Sequence, residues 1–135
     1  MFRLTVGLSV LVSLGAIALP PAVAIVHAQM REQGAIAPER VEALARHLNR
    51  INARVYSAHW CPHCRAQRAQ FGPEDWLVRY GIYLECEPGG EQPASPALCA
   101  MNNIQAYPTW KINGEYHRGV ISLETLAELS GFGDL

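Results

Sequence analysis

The sequence predicts an α/β domain, a small central mixed sheet flanked by helices, and three observations carry that reading. Strand-like and helix-like apolar patterns alternate along residues 38–131. Asn113-Gly114 separates Trp110-Lys111-Ile112 from Glu115-Tyr116-His117, the signature of a tight hairpin. The pair Cys61 and Cys64 falls where a strand gives way to a helix.

The elements follow in order. Pro38 suits the first turn of a helix, and Val41, Leu44, Ala45, Leu48 and Ile51 then recur on one helical face. Arg54–Ala58, with Val55 and Tyr56, reads as a strand, and Cys61–Phe71 as a helix. Gly72-Pro73 marks a break or kink, after which Glu74–Tyr80 is expected to continue the helix. Ile82–Cys86 reads as a second strand and Pro96–Asn103 as a short helix. After the hairpin, Ser122 can cap a last helix whose Leu123, Leu126, Ala127 and Leu129 face inward and which Gly131 ends.

A chain of 135 residues, half of them apolar, supports one domain with a real core. We place that domain at residues 38–135, after a linker at 29–37. Residues 1–28 read as a targeting segment. Met1-Phe2-Arg3 is short and positive, Leu4–Leu19 is an uncharged apolar run, and Pro20-Pro21 breaks it short of the ~20 residues a spanning helix prefers. Small residues near Ala24 and Ala28 suit cleavage of an export signal; the alternative is an uncleaved anchor, residues 4–26, that tethers the domain. Both readings put the domain outside the cytoplasm, in a periplasm or lumen. A net charge of −1 argues against a nucleic-acid partner.

The chemistry is concentrated in Trp60-Cys61-Pro62-His63-Cys64. Two cysteines at this spacing on the first turn of a helix can close a reducible disulfide. Unpaired backbone N–H groups at that terminus favour a thiolate on the first, so Cys61 is the expected attacking sulfur and Cys64 the resolving one. Pro62 loses nothing at the first turn, and His63 can add positive charge that makes the disulfide more oxidising. Covalent haem attachment would need histidine at position 65, which is Arg65. A four-cysteine zinc site would want a second close pair, whereas Cys86 and Cys99 are well separated. In an oxidising compartment an even cysteine count favours a Cys86–Cys99 bridge, closing the Glu87–Leu98 loop either as a staple or as a second redox pair.

The succession strand, helix, strand, helix, hairpin, helix is similar to that of thioredoxin-like domains. The resemblance implies a cis peptide at Tyr107-Pro108, opposite the cysteine pair, with the residue 107 backbone open to an extended substrate. Thioredoxins carry a buried acid where this chain has Val55, which weakens a reductase reading. From Arg54 to Phe132 the chain resembles, more narrowly, the thioredoxin-like domain that accompanies bacterial vitamin K epoxide reductase homologues. The match rests on Tyr56–Cys64, Leu84-Glu85-Cys86, Cys99, Tyr107-Pro108-Thr109-Trp110 and Leu126–Phe132.

That resemblance implies thiol–disulfide exchange with the cysteines of exported proteins, a quinone-reducing membrane partner, and a second disulfide like Cys86–Cys99. Residues 1–28 hold at most one span, so the expected partner is a separate vitamin K epoxide reductase-like protein or another membrane disulfide oxidase. No bound cofactor is expected, since the redox group is the Cys61–Cys64 disulfide itself. Trp60 is expected to pack beside that disulfide and, with Pro62, Tyr107 and Pro108, to form the docking surface; Trp76 and Trp110 read as core, and His59 as structural. Two alternatives stay open: a non-catalytic binding or chaperone module with structural disulfides, and a metal carrier using Cys61, Cys64 and His63.

Overall fold

The computed structural model describes residues 35–133 and Leu135. The targeting segment at 1–28 and linker residues 29–34 lie outside the described residues. Among those described, no helix is long and apolar enough to cross a membrane.

Helix α1 (Pro38–Arg50) starts with proline in its first turn and buries Val41, Leu44, Ala45 and Leu48, the stripe its spacing implies. Strand β1 (Arg54–Ser57) runs into Cys61, which caps α2 (Pro62–Ala69). The helix does not continue through Glu74 as the sequence reading expected. Gly72 and Asp75 both take left-handed backbone, with φ of 76° and 49°, so the chain turns and restarts as the four-residue α3 (Trp76–Arg79). Strand β2 (Tyr83–Glu85) and α4 (Pro96–Met101) follow. The hairpin pairs β3 (Thr109–Ile112) with β4 (Glu115–Arg118), and its turn residues Asn113 and Gly114 both have positive φ, as a right-twisted two-residue turn requires. In α5 (Leu123–Ser130), Ser122 Oγ accepts from the Thr125 N–H and Gly131 ends the helix in left-handed backbone.

The strands form one mixed sheet in the order β2-β1-β3-β4, with β1 parallel to β2 and antiparallel to β3. This arrangement is compatible with the expected α/β thioredoxin-like fold. Because side chains alternate, Val55 of β1 points to one face and Tyr56 to the other. The Val55 face carries the main core, where α1 and α5 meet Phe71, Leu77, Ile82, Trp110 and Ile112. The Tyr56 face carries a smaller cluster with Leu84, Cys86, Cys99 and Ile104. Each fully buried aliphatic side chain of the main core contributes about 1.5–3 kcal/mol by leaving water.

Gln67 ties α2 to the sheet from inside that core. It is 1% exposed. Its Oε1 accepts from Trp110 Nε1 at 3.1 Å and from the Ile121 N–H at 2.7 Å, while its Nε2 donates to the Ile121 carbonyl at 3.0 Å. A buried amide with its bonds made is tolerated and fixes the helix in place, which positions the cysteines one turn away.

Candidate active site

Strand β1 delivers the chain to Ala58, whose carbonyl accepts from the Cys61 N–H at 3.0 Å. Cys61 is extended, with φ −77° and ψ 119°, and Pro62 occupies the first helical position behind it. Cys64 lies one turn further in. Both are present as thiols. Cys61 is 5% exposed and Cys64 1%: the attacking sulfur is not an open thiol, and both residues are buried in a small cluster with Ala58, against which Tyr107 packs.

The two sulfurs nevertheless differ. Burial pushes the Cys64 thiol up to about 11; the Ala58 backbone and the Ser57 hydroxyl pull the other way without outweighing it, and the neighbouring Cys61 adds to the rise. Cys64 therefore keeps its proton at neutral pH while the pair is reduced.

Tyr107 and Pro108 approach from the opposite side. Their peptide bond is cis, Pro108 is fully buried, and the Tyr107 carbonyl accepts from Cys61 Sγ at 3.7 Å. Trp60 is 58% exposed and meets Tyr107 edge-on, with ring centroids 6.1 Å apart. Trp60 therefore presents an exposed apolar surface next to Cys61 in the chain and to Tyr107 in space. Pro62 and His63 are exposed on the first turn of α2. Trp110 is fully buried, and Trp76 stacks on Tyr80 at the core edge.

The second cysteine pair is bonded: Cys86 and Cys99 form a disulfide on the other face of the sheet, 2% and 4% exposed. The loop it closes touches the site. Glu87 accepts from the Tyr107 hydroxyl at 3.0 Å, and Gly90 packs so closely on His59 that an added Cβ would lie 2.8 Å from His59 Cβ. Among the described residues, no three His, Cys, Asp or Glu side chains gather as a metal site would require.

One residue escaped the sequence reading. Val55 is buried and apolar as noted, but Glu85 on the adjacent strand is 2% exposed. It accepts from the His59 N–H at 3.2 Å, the Glu87 N–H at 3.0 Å and the Tyr83 hydroxyl at 2.8 Å. The available signal was its phase. Glu85 is two residues after Tyr83, so it shares a face of the strand with Tyr83 and not with Leu84.

No protein-family model matches the chain. Among curated proteins it is similar to Thiol-disulfide oxidoreductase LTO1 of Arabidopsis thaliana, 44% identical over 92 residues, which are 67% of this chain and 24% of that protein. The chain thus spans about a quarter of the length of this relative.

Proposed function

We propose that this chain is an extracytoplasmic protein thiol–disulfide oxidoreductase with a thioredoxin-like fold, and that Cys61 and Cys64 are its redox group. The observation that carries the reading is the asymmetry of the pair. Cys61 caps α2 facing the Tyr107 carbonyl, whereas Cys64 sits deeper and holds its proton. The similarity to a protein named for thiol–disulfide oxidoreductase activity supports the same chemistry.

In substrate oxidation, a thiolate of an exported protein attacks Cys61 Sγ and breaks the Cys61–Cys64 bond. Cys64 leaves with the electron pair and takes up a proton, which its buried setting favours. The second substrate thiolate then attacks the substrate sulfur of the mixed disulfide and expels Cys61. The substrate loses two electrons, and the pair gains them. Trp60, Pro62 and the Tyr107-Pro108 backbone form the surface on which the substrate lies. A membrane disulfide oxidase, of the vitamin K epoxide reductase type and linked to quinone, restores the pair to its disulfide.

A Cys64→Ala variant tests this reading, because without the resolving thiol the mixed disulfide persists. Expressed with its leader, the variant should accumulate reducible adducts through Cys61 with exported proteins and with the oxidase. Absence of adducts, with the variant folded and exported, would contradict the proposal.

A further inference from the structure

We propose that the cavity between α4 and the Tyr56 face of the sheet binds a small amphiphilic oxyanion, a carboxylate or phosphate head on a short apolar body. The site includes Arg54, at the end of β1 remote from Cys61, and it does not depend on the cysteine chemistry.

The cavity follows from the register of the sheet. Arg54 and Tyr56 are two residues apart on β1, so they share the face that carries Cys86 and Cys99. Lys111 of β3 is the register partner of Arg54, and Leu84 of β2 that of Tyr56, which puts both on the same face. Helix α4 lies over this face. It is held there by the Cys86–Cys99 bridge and by Asn102, whose Oδ1 accepts from Lys111 Nζ at 3.0 Å and from the Tyr116 hydroxyl at 2.8 Å. Between helix and sheet a cavity of about 420 Å³ remains. That is room for a small molecule.

Its charge is one-sided. Arg54 and Lys111 stand directly opposite each other on an antiparallel pair, where like charges repel and destabilise the sheet. No carboxylate lines the cavity, and among the described residues neither cation makes a salt bridge. An anion between them would remove that repulsion. Both retain donors for it: one guanidinium nitrogen of Arg54 donates to the Ala53 carbonyl at 2.8 Å, and Lys111 directs one of its three N–H groups at Asn102.

Tyr56 supplies a third donor. It is 3% exposed and forms part of the cavity wall, and among the described residues no protein group hydrogen-bonds its hydroxyl. A buried hydroxyl without a partner is uncommon unless a ligand or water provides one. Lys111 and Arg54 both act on this phenol, pulling against the rise that burial causes, so the two charges and the hydroxyl lie near one another. Ile51, Leu84 and Leu98 add aliphatic wall. Three convergent donors beside apolar wall match an oxyanion head with an apolar body better than a bare ion or a neutral molecule.

Hexanoate, hexyl phosphate and hexanol share one apolar arm and differ in the head, so titrating each into the full chain and following backbone amide shifts by NMR tests the site. Both anions should shift the Tyr56, Leu84 and Lys111 amides saturably, with a dissociation constant of about 1 mM or tighter. Hexanol should bind about tenfold more weakly or worse. The tighter of the two anions identifies the head. Lys111→Gln and Arg54→Gln should each weaken anion binding about tenfold, the loss expected for a charge-assisted hydrogen bond, and leave hexanol unaffected. Tyr56→Phe keeps the packing and removes only the hydroxyl, so it should weaken the anions about threefold even if a charge variant does not fold. Absence of saturable shifts at these amides with either anion would overturn the proposal. So would hexanol binding as tightly as the anions, or anion binding unchanged in both Lys111→Gln and Tyr56→Phe.

Discussion

The Tyr107 hydroxyl donates to Glu87 at 3.0 Å, joining the turn that faces Cys61 to the loop closed by the Cys86–Cys99 disulfide. Burial raises the Tyr107 phenol to about 12, and the bond to Glu87 is the next cause. Glu87→Gln removes a charged acceptor while keeping the shape. The Tyr107 phenol should then titrate closer to the ordinary value of about 10, read from tyrosinate absorbance. An unmoved titration would show that burial alone sets it.

Removing the second disulfide as Cys86→Ala with Cys99→Ala should destabilise the fold by about 3 kcal/mol, the loop-entropy expectation for a bridge closing a loop of this size. Thermal unfolding checks the loss. Disulfide exchange at Cys61 should persist in the folded double variant, since neither Cys86 nor Cys99 belongs to the cluster that buries Cys61 and Cys64. Loss of turnover there would instead mean that the second pair carries electrons.

Gly90→Ala places a methyl group 2.8 Å from His59 Cβ, an atom too near the backbone to swing away. The expected cost is about 1–3 kcal/mol from overpacking, together with a shifted His59 imidazole signal by NMR. A variant as stable as the parent, with His59 unmoved, would show that the loop yields freely.

Gln67→Ala leaves the Trp110 and Ile121 N–H groups without their shared acceptor. Each such donor left without a partner costs about 1–3 kcal/mol, so chemical denaturation should show a loss of roughly 2–6 kcal/mol. A loss under about 1 kcal/mol would mean that water or a neighbour replaces the amide.

Most of the fold was legible because it follows from patterns that local chemistry enforces. The α1 stripe, the Asn113-Gly114 turn, the Ser122 cap and the Gly131 stop each rest on residues that have few alternatives in their positions. The helix beyond Gly72-Pro73 restarts two residues later than expected because nothing in the side-chain pattern marks Asp75 as left-handed. The cysteine motif was equally legible, but the degree of burial of Cys61 was not, since Tyr107 arrives from far along the chain to pack on it. Glu85 was invisible as a site residue for the same reason. Its partners, His59, Tyr83 and Glu87, become a set only once β2 is laid beside β1.

The alkaline behaviour of the reduced protein follows from groups that fold with their protons held. Cys64 is raised to about 11, and Tyr83 and Tyr56 are raised by burial. A group raised on folding contributes stability that is complete below its unfolded value and lost as pH climbs to the folded one. For Cys64 that window runs from about 8.5, the unfolded thiol value, upward. The reduced protein should therefore lose melting temperature between pH 8.5 and 11 faster than the Cys61–Cys64 disulfide form, in which Cys64 does not titrate. Parallel losses in the two forms would contradict the assignment of Cys64 as the buried thiol.

The reduction potential of the Cys61–Cys64 pair, measured by equilibration against glutathione buffers, tests the central claim most directly. An exchanging pair should equilibrate at a potential well above about −300 mV, within reach of protein thiols and their oxidases. A potential below that value, or cysteines that form no disulfide with each other under oxidising buffers, would contradict the account.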